Sequence, residues 1–208
     1  MRGVRIAVLV SGSGTILESI LAAGIDVTAV LSDRPCRGLE VADAAGVEPV
    51  LIDRASFGGF GDAFERWRFT VSLTDALVDR KIDLVAMAGF GTVLDQPVHD
   101  AFEGRILNTH PALLPLYPGW HGVEDALAAG AKESGCTVHL ATVKMDEGPI
   151  LAQAVVPVLA DDSVDTLHER IKAVERELYP ATIAEAAKAL RDGRSIESIA
   201  NKKKEAAP

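Results

Sequence analysis

Short β-branched runs alternate along the chain with stretches whose apolar residues recur at helical spacing. The run 4–10 (VRIAVLV) reads as a buried strand that stops at Ser11-Gly12-Ser13-Gly14-Thr15. Residues 16–23 then read as a helix ended by Gly24, 26–31 as a second strand, 38–45 as a short helix and 49–52 as a third strand. The segment 53–62 (DRASFGGFGD), with three glycines among two phenylalanines, predicts a flexible loop before a longer helix over 63–80. A fourth strand over 83–88 and a fifth led in by 104–108 complete an alternation that predicts a doubly wound, mostly parallel α/β sheet.

The pattern then changes. Two extended runs, 136–143 and 150–158, flank Lys144-Met145-Asp146-Glu147-Gly148-Pro149, which predicts an antiparallel hairpin. Ser163 is placed to cap a helix with Leu167, Ile171, Val174 and Leu178 on one stripe, and Pro180 is expected to kink or restart it. The chain turns polar after Leu190, and Lys202-Lys203-Lys204 reads as solvated. With no internal repeat and no linker, the expectation is one domain over 1–190 and a polar C-terminal tail over 191–208.

A net charge of −9 argues against a general nucleic-acid or membrane-surface binder. It does not exclude a small anionic substrate, because a nest of backbone N–H groups acts locally. The two cysteines, Cys36 and Cys136, read as reduced thiols. The apolar run 4–10 is too short to span a bilayer and follows only Met1-Arg2-Gly3. A cytoplasmic protein is expected.

A glycine-rich turn between a first strand and a first helix aims backbone N–H groups, and the positive end of the helix dipole, at whatever binds there. The dinucleotide fingerprint G-x-G-x-x-G is incomplete here: Gly12 and Gly14 fit, but Leu17 holds the third position. A single phosphate monoester suits this loop better than a pyrophosphate, and a plain tight turn is the bland alternative. The run Asn108-Thr109-His110-Pro111 is more informative. Pro111 biases His110 toward extended geometry, and alternation then sends Asn108 and His110 to one side at the carboxyl end of a strand. Asp146 lies in the hairpin turn, His121 follows Pro118-Gly119, and Thr137 and His139 share a face of the first hairpin strand. His110, His121 and His139 with Asp146 match no recognised zinc spacing, so no metal is expected.

These pieces together carry a resemblance. SGSGT near the start, AGF at 88–90, NTHPALLPLYPGWHG from Asn108, GCTVHL from Gly135, DEGPILAQ from Asp146 and ERELYP at 175–180 occur in uninterrupted order. The chain resembles the phosphoribosylglycinamide formyltransferases, the glycinamide ribonucleotide branch of the folate-dependent formyltransferases. The resemblance implies a cytoplasmic transferase of one-carbon metabolism and purine biosynthesis, moving a formyl group from 10-formyltetrahydrofolate to the amine of glycinamide ribonucleotide. It implies a monomer or homodimer without nucleic acid or membrane partner.

The resemblance also assigns roles. Asn108 and protonated His110 would stabilise the charge developing on the formyl oxygen, with Asp146 favouring the imidazolium and holding a proton-carrying water. His121 would orient Asp146, with Thr137 and His139 as further support. Gly14, Thr15 and Ile16 would hold the substrate phosphate through backbone groups, and Lys172 and Glu175, three apart on a helix, would contact phosphate and ribose. The folate would lie along Gly91, Thr92, Val93 and Leu94, with Asn108 and the loop Thr142, Val143, Lys144, Met145 and Asp146, and Arg66 would reach its glutamate end. Two positions depart from the family pattern: Gly91-Thr92 stands where Met-Arg is usual, and Ile16 where Asn is usual.

Four other readings use parts of the same signal. A methionyl-tRNA formyltransferase normally has a further C-terminal domain, and the acidic charge suits tRNA poorly. A formyltetrahydrofolate deformylase would share the Asn, His and Asp but normally carries a preceding regulatory domain. A non-catalytic folate- or sugar-phosphate-binding protein would keep the glycine loop without needing the three side chains together. A nicotinamide-dependent oxidoreductase is disfavoured by Leu17.

Overall fold

The computed structural model describes residues 3–200; Lys202–Lys204, read as solvated, lie outside them. The described residues form two compact units that divide after Leu107. The strands follow one another in a seven-stranded sheet of order β3-β2-β1-β4-β5-β6-β7.

In the first unit β1 (Ile6–Val10), β2 (Val27–Ser32), β3 (Glu48–Leu51) and β4 (Leu84–Met87) are parallel where they pair. Every residue of β1 is buried, as a strand covered on both faces requires. Helices α1 (Thr15–Ala22), α2 (Arg37–Ala44) and α3 (Arg66–Asp79) fall where the periodicity places them. The predicted loop contains a 3-10 turn, Arg54–Phe57, capped by Asp53, whose carboxylate accepts from the Ala55 amide at 2.9 Å. A short helix, α4 (Gln96–Ala101), was not predicted; six residues opened by an Asp95 cap are too few to show a period.

The chain passes from β1 to β2 and β3 on one side and then returns to β4 on the other side of β1. The topological switch point therefore lies beyond the carboxyl ends of β1 and β4, where open α/β sheets receive ligands. Registry sets Val10 against Ser32 and Leu9 against Met87, so the segments after β1, β2 and β4 emerge at nearly one level.

The second unit continues from within β5 (Ile106–His110) through α5 (Gly122–Ala128), β6 (Glu133–Leu140), β7 (Ile150–Pro157) and α6 (Val164–Arg191). The β6–β7 pair is the expected antiparallel hairpin, with a register shift between Val138 and His139. Val123, Cys136, Val156, Leu167 and Ile171 form its core cluster. Ser163 caps α6 in a capping box with Thr166. The helix corrects one expectation: it runs through Pro180 without restarting. Pro180 is buried beside Tyr179, Thr182 and Ile183, so packing outweighs one lost backbone bond. Residues 196–199, read as part of a polar tail, form a 3-10 turn with Ile196 and Ile199 buried, two apolar residues being too few to register as a period. No helix among the described residues is long and apolar enough to cross a membrane.

Candidate active site

Four polar side chains of the second unit meet around β5. His110 is almost wholly buried; its Nε2 lies 2.8 Å from the Tyr117 carbonyl and its Nδ1 3.4 Å from Asp146 Oδ2. A carbonyl only accepts, so Nε2 carries a hydrogen and the ring is fixed in orientation. Nδ1 is then the nitrogen that faces the carboxylate. Two local features build this. Tyr117 adopts a left-handed backbone (φ 53°), unusual for an aromatic residue, which is the sort of local strain found where a site demands it. A Cβ at Gly122 would lie 2.9 Å from both His110 Nε2 and the Tyr117 oxygen, so only glycine lets the ring settle there.

Asp146 also has a positive φ, 57°, which aspartate tolerates better than most residues. Its Oδ2 accepts from the Gly119 amide at 2.8 Å, and its Oδ1 stands 3.5 Å from His139 Nε2. Burial pushes the Asp146 carboxyl up, but His139, the Gly119 amide and His110 together outweigh it and hold the group below its ordinary value of 3.8. The sign of the stability effect follows. The unfolded chain takes up the proton first as pH falls, so Asp146 stabilises the fold above about pH 5. That contribution drains away as pH falls through 3.8 and the lower folded value. The gap in Tm between the wild type and Asp146→Asn is expected to be constant above about pH 5 and to narrow in acid. A gap unchanged down to strongly acid pH would remove the carboxylate from this role.

Asn108 Nδ2 lies 3.1 Å from His139 Nε2, and His139 Nδ1 lies 3.0 Å from the Leu140 carbonyl. The Leu140 carbonyl accepts from Nδ1, and Nε2 faces both the Asn108 amide and Asp146 Oδ1. The Asn108 amide group carries two hydrogens, so one is available to a ligand while the other lies toward the imidazole. The register shift at His139 aims its ring. Thr137 pins the segment after β5: its hydroxyl donates to the Ala112 carbonyl at 2.6 Å and accepts from the Leu114 amide at 3.0 Å.

His121 stands apart from this cluster. Its side chain is 75% exposed and faces Glu124 at 3.9 Å, so Asp146 is oriented by Gly119 and His139 instead. Sequence reasoning missed Gly119 and Gly122 as site residues, although both lie in the quoted motif; a backbone donor and a missing Cβ leave no side-chain signal. Lys172 and Glu175 do not pair with each other. Lys172 bonds Glu169 at 2.9 Å, while burial pushes the Glu175 carboxyl up against the opposing hydrogen bond from Thr109 of β5. Cys136, beside Thr109, is pushed up to about 12 by burial and by the Glu175 charge, and stays a thiol. Thr142, Val143, Lys144 and Met145 are exposed.

In the first unit, Gly14 caps α1 at φ 74°, and a Cβ there would meet Gly38 Cα at 2.9 Å. No side chain caps this helix, so its first N–H groups are free for an anion. Ile16 turns into the core, leaving its backbone as its polar feature, and Thr15 is half-buried. Beyond β2, Asp33 is fully buried and was also missed. Arg34 grips it with two bonds of 3.0 and 2.9 Å, and the Thr92 hydroxyl donates to it at 2.6 Å. Ser11 supports it and accepts from the Gly91 amide at 2.6 Å. The two departures thus fit their surroundings. A Cβ at Gly91 would crowd Arg34 Nη2 at 3.0 Å, and the buried Thr92 side chain engages Asp33 and Arg54, leaving backbone groups to meet a ligand. An acid in this place would meet a ribose in a dinucleotide fold; here it is already satisfied. Val93 is half-buried and Leu94 buried. Arg66, at the start of α3, is exposed. Among the described residues no group of three or more His, Cys, Asp or Glu side chains is placed to hold a metal.

Comparison with known proteins gives a consistent result. Phosphoribosylglycinamide formyltransferase of Mycobacterium tuberculosis is 48% identical over 185 residues, covering 86% of this chain and 83% of that protein. The trifunctional purine biosynthetic protein adenosine-3 of Drosophila melanogaster is 40% identical over 189 residues, covering 86% of this chain but 14% of the longer protein. The crystal structure of glycinamide ribonucleotide transformylase 1 from Symbiobacterium toebii superposes with a TM-score of 0.84 at 42% identity, covering 90% of this chain and 89% of that one. Residues 4–183 match the formyl transferase family, and the chain belongs to that family.

Proposed function

We propose that this chain transfers the formyl group of 10-formyltetrahydrofolate to the amine of glycinamide ribonucleotide in purine biosynthesis, as a cytoplasmic enzyme with its catalytic domain over 1–190. The observation that carries the reading is the anchored ring of His110, with one nitrogen bound to the Tyr117 carbonyl and the other facing Asp146. The substrate amine attacks the formyl carbon and negative charge grows on the formyl oxygen. The free amide hydrogen of Asn108 and the Nδ1–H of the His110 imidazolium are the donors for that charge. Preorganised donors of this kind contribute about 2.7–4 kcal/mol each. The Asp146 carboxylate faces His110 Nδ1 at 3.4 Å and accepts the proton that leaves the attacking amine, through a water. The same proton then passes through that water to the leaving nitrogen of the folate as the carbon–nitrogen bond breaks, releasing the formylated amine and tetrahydrofolate and leaving Asp146 ionised. Gly14, Thr15 and Ile16 are assigned to the phosphate, with Lys172 and Glu175 completing the nucleotide contacts. Gly91 to Leu94, Asn108 and the loop from Thr142 to Asp146 are assigned to the folate, with Arg66 at its glutamate end. No metal enters the scheme.

The test mixes protein, 10-formyl folate and glycinamide ribonucleotide and follows loss of the formyl cosubstrate. Turnover that requires the amine supports the transferase. Deformylation at the same rate without amine would establish a hydrolase in its place.

A further inference from the structure

Three successive carbonyls of the glycine loop are committed to donors of the protein. The Gly12 oxygen accepts from the Gly38 amide at 3.0 Å, the Ser13 oxygen from Arg37 Nη1 at 2.5 Å and the Gly14 oxygen from the Glu18 amide at 2.9 Å. A carbonyl released from its donor is free to turn toward an anion at the N–H groups of α1 and to repel it. Two of these bonds are backbone to backbone, and close packing backs them: a Cβ at Gly14 would lie 2.9 Å from Gly38 Cα, and one at Gly38 2.8 Å from Val10 Cγ2. The Ser13 carbonyl is the one held by a side chain.

Arg37 has a second partner. Its Nη2 bonds Glu18 Oε1 at 2.5 Å. Glu18 is the acid in the first turn of α1. Its charge suits the helix dipole there, but it opposes a phosphate bound at the same helix end. A guanidinium fork serves a carbonyl and a carboxylate at once, which a lysine ammonium does less well.

We propose that Arg37 is a positioning residue for nucleotide binding, fixing the Ser13 carbonyl and masking the Glu18 charge so that the N–H groups of Gly14, Thr15 and Ile16 meet the phosphate. It acts through the loop and not by touching the substrate. The proposal rests on the phosphate reading above and deepens it.

Steady-state kinetics and calorimetry on Arg37→Ala test it. The KM and Kd for glycinamide ribonucleotide are expected to rise about fivefold at low salt, while kcat and the KM for 10-formyltetrahydrofolate hold. Adding Glu18→Gln to Arg37→Ala is expected to recover part of the lost affinity, because it removes the unmasked charge and leaves Ser13 unheld. Should Arg37→Ala fail to fold, as its Tm would reveal, Arg37→Gln keeps a donor without the charge and reads the same selectivity. Unchanged nucleotide affinity, or a loss spread over kcat and both KM values as general loosening would give, overturns the positioning role. A double variant no better than Arg37→Ala overturns the masking of Glu18. Wild-type protein that binds no glycinamide ribonucleotide overturns the phosphate reading itself.

Discussion

His110→Ala and Asp146→Asn are each expected to lower kcat by about 10²–10⁴-fold while the protein stays folded. The two substitutions remove different things. Alanine at 110 deletes the donor to the formyl oxygen and leaves the Tyr117 carbonyl without its partner at 2.8 Å. Asparagine at 146 keeps the size and tolerates the positive φ, yet takes away the charge facing His110 Nδ1 at 3.4 Å. Because the pair acts as a unit, the double variant is expected to lose little beyond the worse single one. Losses that multiply would indicate independent roles. Steady-state kinetics with both substrates saturating, together with thermal melts, decide the matter. Near-normal turnover in either folded variant would remove that residue from the chemistry.

The parts of this site that were legible in the sequence are those carried by side-chain type in a short run. Asn108, His110 and Asp146 are polar residues at strand ends and turns, and their two segments meet around β5 in one unit. The alternation of strands and helices was equally plain because β1, β2 and β4 are nearly continuous apolar runs. What escaped depends on contacts distant in sequence or on the backbone. Asp33 looks like an ordinary acid after a strand, and its meaning comes from Thr92, 59 residues later. Gly119 contributes an N–H and Gly122 an absence of atoms. The helix α5, seven residues long, is too short for its periodicity to stand out beside the preceding motif. Pro180 was read by its local rule, and the burial of its neighbours reversed the outcome.

Thr15→Asp is expected to lower glycinamide ribonucleotide affinity by about a hundredfold while folate affinity and Tm hold. The reasoning starts from the free N–H groups at the start of α1, which Gly14 presents without a side-chain cap. A carboxylate at the first helical position lies where the phosphate must come, and like charges brought together cost several kcal/mol, of which about 2.7 corresponds to a hundredfold. The same carboxylate suits the positive end of the helix dipole, worth about 0.3–1 kcal/mol, so the fold is not weakened. Arg37 already bridges the Ser13 carbonyl and Glu18, which leaves the new charge without a guanidinium to neutralise it. Separate titration of nucleotide and folate distinguishes the two sites. Nucleotide affinity unchanged in Thr15→Asp would place the phosphate elsewhere and reduce the glycine loop to a turn between β1 and α1.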